Sequence, residues 1–393
     1  MILGFLTLLW GCGPRVYTPP STTAVHVGQA LATGDKWGIL EQANTLVEVS
    51  IRQRSTELMV RYWPEPAGGE WGQRGIFDPS PYVQRRTIEA LQSRLHEPES
   101  QLILTNFLKN EHADPFTRGK AALALAVNDK AEILGQLQDS LATPRHLSYQ
   151  APLALAAAVL GDSSSQDLLL LALRQGDFPL EVDFFIDCGS LTIDGLAQAL
   201  IDGLPMLEDE LHLPVARSLI LLGSKNGTDI FQKAFRSDNV ELQHEALDFL
   251  WDLDHPQVIN ILKKAKKSRF TSAVNHARLI LDTHDESLPK TALEAIESND
   301  REQRVLGIHC LREWKRRHPE AIKTDKRLQQ VAISSLSDLE AVVQREALQL
   351  LGNIGKKSSF RHLEPFLSSE DPRLRVEAAG AILQIEARIK SKP

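Results

Sequence analysis

His244 and Glu245 stand side by side in the segment NVELQHEALDFL. An imidazole beside a carboxylate is a donor pair suited to divalent transition metals, and a two-metal cage needs several such pairs. Two segments that align with this one read Arg345-Glu346 and Val376-Glu377, so the imidazole is not repeated. One pair cannot supply the cage, and His244 is expected to be an exposed helix residue. No Gly-rich phosphate loop, metal-ligand cluster or nucleophile–base pair is visible along the chain. The sequence therefore assigns no catalytic, metal or cofactor-binding residue, expects no cofactor, and reads as a protein that is not an enzyme.

The three cysteines, Cys12, Cys188 and Cys310, form no C-x-x-C pair, which argues against a zinc ribbon or a disulfide framework. Cys310 beside Leu311 falls on an apolar helix face, as a small core residue would. Charge is unevenly placed. Residues 175–216 hold nine carboxylates, among them Asp183, Asp187 and Asp194, and no Lys or Arg. Basic runs follow at KKAKKSR (263–269) and KRRH (315–318). These are either solvated surface or a face for a charged partner. With a net charge of −7 and an acidic middle, a nucleic-acid partner is not expected.

The elements that would carry these residues are helices. Hydrophobic residues make up 42% of the chain and aromatic residues only 6%, with Leu and Ala dominating and little alternating β pattern. DPFTRGKAALALA at Asp114 and DPRLRVEAAGAIL at Asp371 share Asp, Pro, Arg and three Ala at equal offsets. In each, Asp is an N-cap and Pro fits the first helical position. From the second copy, Leu374, Ala378, Ala381, Ile382 and Ile385 define one apolar face. Small residues recur at the Ala378 position: Ala90, Ala121, Ala156, Ala246, Ala277, Gly307 and Ala347. From Ala246 to Ala378 these anchors keep a nearly constant interval, broken only by a longer gap between Gly307 and Ala347. A period near 31 with two helices per unit predicts stacked helical pairs sharing one continuous core.

These units resemble HEAT repeats, particularly the short bacterial form written Asp-Pro-x-x-Arg-x-x-Ala-Ala-x-Ala-Leu. The resemblance is strongest over 114–127, 239–251 and 338–385, and weak over 176–235. It implies an all-α, HEAT-like alpha-alpha superhelix of about nine to ten helical pairs, elongated and with an open concave surface. Some proteins built this way are enzymes. Deoxyhypusine hydroxylase sets repeated His-Glu pairs around two irons, bilin lyases share the short repeat, and HEAT-like DNA glycosylases use a cationic groove. The lone His244-Glu245 pair and the acidic middle depart from the first and the last.

The opening MILGFLTLLWGCGPR is uncharged and apolar up to Gly11, too short to span a bilayer. LLWGC resembles the bacterial lipoprotein cleavage box. The resemblance implies a signal peptide over 1–11, lipidation of Cys12, and a tether over 12–24. A helical segment is expected over 25–62, a Gly/Pro/Trp loop over 63–80, and the repeat array over 81–390. Trp63, Trp71 and Phe77 in that loop either cap the first repeat or contact a partner. The expected function is a membrane-anchored scaffold in a bacterial cell envelope, facing the periplasm, with another protein as its partner. A HEAT-like enzyme or small-molecule binder, or a cytosolic adaptor, is the alternative. A deep pocket with converging polar groups would favour the small-molecule reading.

Overall fold

A computed structural model describes residues 35–390, apart from 65–66, 129, 144, 177–180 and 322–324. The signal, Cys12 and the tether lie outside the described residues. Among those described there are 22 α-helices and no strand.

Local chemistry sets the helix ends. Asp35 opens α1 (Lys36–Ala43), its carboxylate accepting from the Trp37 and Gly38 amides. Asp114 opens α6 (Pro115–Ala126) by accepting from Thr117 N at 2.7 Å. Asn239 opens α14 (Val240–Asp248) in the same way. Each satisfies an amide that the first turn leaves unpaired. Gly176, at φ 55°, ends α9 (Ser163–Gln175) with its amide returned to the Ala172 carbonyl.

The helices alternate between two layers. The inner series is α2 (Val49–Tyr62), α4 (Pro81–Gln92), α6, α8 (Leu147–Val159), α10 (Val182–Gly189), α12 (His212–Leu221), α14, α16 (Thr271–Asp282), α18 (Arg301–Arg317), α20 (Ala341–Ile354) and α22 (Pro372–Lys390). The outer partners are α3 (Ala67–Ile76), α5 (Pro98–Leu108), α7 (Leu134–Ala142), α9, α11 (Leu196–Gly203), α13 (Lys225–Phe235), α15 (Pro256–Ala265), α17 (Lys290–Ile296), α19 (Asp325–Ser335) and the short α21 (Phe360–Leu363). That makes ten pairs and a last inner helix. The anchors Ala90, Ala121, Ala277, Ala347 and Ala378 are fully buried, so neighbouring inner helices approach closely through them.

The array is not open-ended, and this corrects the expected elongated stack. Helix α22 packs on α1 and α2 at the other end of the chain. Lys36, Glu48 and Arg54 pair with Glu386, Arg373 and Glu377. A Cβ on Gly380 would stand 2.8 Å from Leu58 Cδ1, so α22 lies hard against α2. Helix α1 fills the outer place beside α22, and the first and last described helices complete an eleventh pair. The curvature of each unit accumulates until the stack meets itself.

Two expected boundaries change with it. Helices α2 and α3 are the first pair of the array rather than a separate segment. The loop expected over 63–80 contains α3 instead. Three of its four glycines, at 68, 72 and 75, fall on one face of a helix, where they permit close packing. A Cβ on Gly72 would meet Leu91 Cδ2 at 2.7 Å, and one on Gly75 would meet Thr56 and Thr87 at 2.4 Å. Glycine here serves contact between helices rather than a turn.

Candidate functional site

The inner helices turn one row of side chains toward the middle of the ring. Glu89, Lys120, Glu346 and Glu377 each stand one residue before the anchors Ala90, Ala121, Ala347 and Ala378, so the repeat that spaces the anchors also spaces these charges. They connect from helix to helix. Glu57 accepts from Arg54 and Arg86, both at 3.0 Å, and pairs with Arg61. Glu89 takes Arg86 and Lys120. Beyond the closure, Glu377 takes Arg54 and Gln349, while Arg312 bridges Gln349 and Glu346. Burial pushes the Glu89 carboxyl up, but Lys120 and Arg86 together outweigh it and hold it below the usual range.

The acidic middle meets this belt. Arg85 pairs with Glu181 and lies 3.5 Å from Asp183. Lys120 lies 3.9 Å from Asp187, and Phe116 meets Phe184 edge-on. Burial pushes the Asp187 carboxyl up to about 6; Lys120 offsets this only in part, and Asp183 and Glu89 add to it. Asp194 is elsewhere, exposed in the turn before α11. The three aspartates proposed as one partner face are thus not one face. Asp183 and Asp187 line the inside, facing Arg85 of α4 and Lys120 of α6.

The aromatic candidates separate likewise. Trp63 lies against Trp37, ring centres 4.4 Å apart, and stacks on Trp71, which is buried with Arg74 over its ring. Both tryptophans cap the first pair. Phe77 stays half exposed, its edge on Phe107. The KRRH run is also partly internal: Arg317 donates to the Trp251 and Leu253 carbonyls, both at 2.9 Å. Cys188 and Cys310 are buried free thiols, and burial holds both well above the ordinary thiol range.

His244 is not an exposed helix residue. Its Nδ1 lies 3.2 Å from His276 Nδ1 and its Nε2 lies 3.0 Å from Ser272 Oγ. His276 is 2% exposed. Burial, then the neighbouring His244 and His309, push its imidazole down to about 3, so it is neutral at pH 7. His276 and His309 both pack on Trp251. His244, His276 and His309 follow one another at about one repeat period, a signal available in the sequence. No group of three or more His, Cys, Asp or Glu among the described residues is arranged to hold a metal ion.

Beside these histidines the inner helices leave a cavity of about 530 Å³, with walls from α10, α12, α14, α18 and α20. Ile186 and Glu346, five inner helices apart along the chain, line the same space. No helix among the described residues is long and apolar enough to cross a membrane.

No family model matches the chain, and no curated protein matches it. Among solved structures it is similar to human deoxyhypusine hydroxylase in complex with glycerol, at 12% identity and a TM-score of 0.32, covering 92% of this chain and 98% of that one. It is similar to Kap121p bound to Pho4p at 15% identity and a TM-score of 0.32, over 92% of this chain and 45% of that one. These neighbours are helical repeat proteins. The stacked helical pairs described above themselves make this chain a HEAT-like alpha-alpha superhelix. One expectation is corrected here. Deoxyhypusine hydroxylase is an enzyme with a HEAT-like fold, so this architecture without linear motifs does not make a protein non-enzymatic. At this identity the likeness does not establish an activity either.

Proposed function

We propose that this protein is a protein-binding platform of a bacterial cell envelope, held at a membrane by lipid on Cys12. The observation that supports protein binding is an apolar arc on one rim. All inner helices run the same way, so their entry turns share that rim. Leu339 is 100% exposed before α20, Val47 is 93% exposed before α2, and Tyr82 is 63% exposed at the start of α4. Because α22 closes on α2, the entries of α2 and α4 are adjacent, and that of α20 follows one helix away across the entry of α22. Covering such side chains yields roughly 25 cal/mol per Å² of apolar area, and exposed patches of this kind mark interaction sites. Several acyl chains on one cysteine anchor firmly, at ~0.8 kcal/mol per buried CH₂.

The test combines two measurements in a bacterial host. Intact mass and detergent-phase partitioning of wild type and Cys12→Ser should show an acylated, detergent-partitioning chain only for wild type. In-cell cross-linking should give protein adducts that disappear in the triple variant Val47→Asp, Tyr82→Ser, Leu339→Asp at unchanged melting temperature. An unmodified wild-type mass overturns the anchor. Adducts that survive the rim variant overturn the platform.

A further inference from the structure

We propose that the central cavity is a binding site for a small organic monocation, an ammonium on an apolar or aromatic body, seated with its charge at Asp248. This goes beyond protein binding at the rim and is independent of it. The cavity, about 530 Å³, falls within the range of small-molecule sites. Ile186, Val305, Leu306 and the ring of Trp251 supply apolar wall, which suits a ligand body rather than a hydrated ion.

The charge at the wall decides the ligand's sign. Four carboxylates line the space: Asp248, Asp252, Glu313 and Glu346. Three already have a cation. Arg217 lies 2.7 Å from Asp252, Arg316 lies 2.7 Å from Glu313, and Arg312 lies 2.8 Å from Glu346. Asp248 faces His276 Nε2 at 3.6 Å, beyond hydrogen-bond distance, and that nitrogen has no partner. His276 is neutral at pH 7 because it is buried, so it leaves the Asp248 charge uncompensated. The other imidazoles that act on Asp248 are His244, on its own helix, and His309, and neither is a permanent cation. Among the four lining carboxylates Asp248, 65% exposed and three residues before Trp251, is the one with no Lys or Arg partner among the described residues. A carboxylate in a largely apolar wall attracts an ammonium by charge while the wall takes the ligand body. An anion would meet the carboxylate of Asp248, which has no guanidinium or ammonium partner, and a neutral body would leave it without one.

The test uses the full chain with tryptamine, its neutral analogue tryptophol, and the anion indole-3-propionate, read by titration calorimetry and saturation-transfer NMR. Tryptamine should bind at least tenfold tighter than the other two. Asp248→Asn should remove that preference while leaving the melting temperature within a few degrees. Leu306→Phe narrows the cavity without touching a charge and should weaken tryptamine at least threefold, which keeps the test decisive if Asp248→Asn folds poorly. Equal binding of the three probes overturns the proposal. So does a preference unchanged by Asp248→Asn, tryptamine binding indifferent to Leu306→Phe, or no saturation transfer to millimolar tryptamine from folded wild type.

Discussion

Lys36 Nζ lies 2.8 Å from Glu386 Oε1 across 350 residues of chain. This contact ties the first described helix to the last and turns a stack of repeats into a ring. A half-buried pair at the surface contributes little by itself. Its significance is where it sits, at the margin of an apolar contact in which Leu58 is fully buried against Gly380.

Closure predicts dimensions. Small-angle scattering should give a radius of gyration near the ~21 Å of a compact chain of this length. Ten pairs stacked open at ~10 Å each would extend about 100 Å and give close to 30 Å or more. A value of that size would mean that α22 and α2 are apart in solution.

The closing contact should be intolerant of bulk. Gly380→Val places carbon where Leu58 already stands and should destabilise by about 1–3 kcal/mol in urea unfolding. Gly135→Ala is the control. Gly135 lies in α7 with nothing within 4 Å of a built Cβ. That substitution should stabilise by roughly 0.5–1 kcal/mol, the helix-interior difference between Gly and Ala. A neutral Gly380→Val would show that the seam is loose.

His276 predicts acid sensitivity. Its folded pKa is lowered to about 3, below the unfolded value near 6.5. Between these values the unfolded chain binds the extra proton, so this stability is present above pH 6.5 and is lost as pH falls toward 3. The full loss is on the order of 5 kcal/mol. Wild type should therefore lose stability faster than His276→Phe between pH 6.5 and pH 4. Parallel curves would mean that His276 is not buried neutral.

Asp187 predicts the opposite slope. Its folded pKa is raised to about 6 from the usual 3.8. The favourable neutral form is fully present below pH 3.8, and that contribution is lost as pH rises through 6. Asp187→Asn fixes the uncharged shape and should stabilise at pH 8 by up to about 3 kcal/mol, with little effect at pH 3.5. Destabilisation at pH 8 would mean that the Lys120 pair outweighs burial.

The sequence by itself determined the all-helical class, the short repeat period and about ten pairs. Those features are written locally: Asp114 and Asn239 cap their helices through their own first turns, and Ala378 and its equivalents mark the face each unit must bury. Tertiary structure decided the rest. The glycines of 68–75 read as a loop because glycine's helix penalty is a local quantity, while the space they yield to Leu91, Thr56 and Thr87 is not. Asp183 and Asp187 read as surface because Arg85 and Lys120 are two to three units away along the chain. The spacing of His244, His276 and His309 was legible in the sequence, but not that they back one cavity. Closure was least legible of all. The curvature of one unit is a small angle set by how side chains on neighbouring helices fit together, and only its accumulation over ten units brings Lys36 to Glu386.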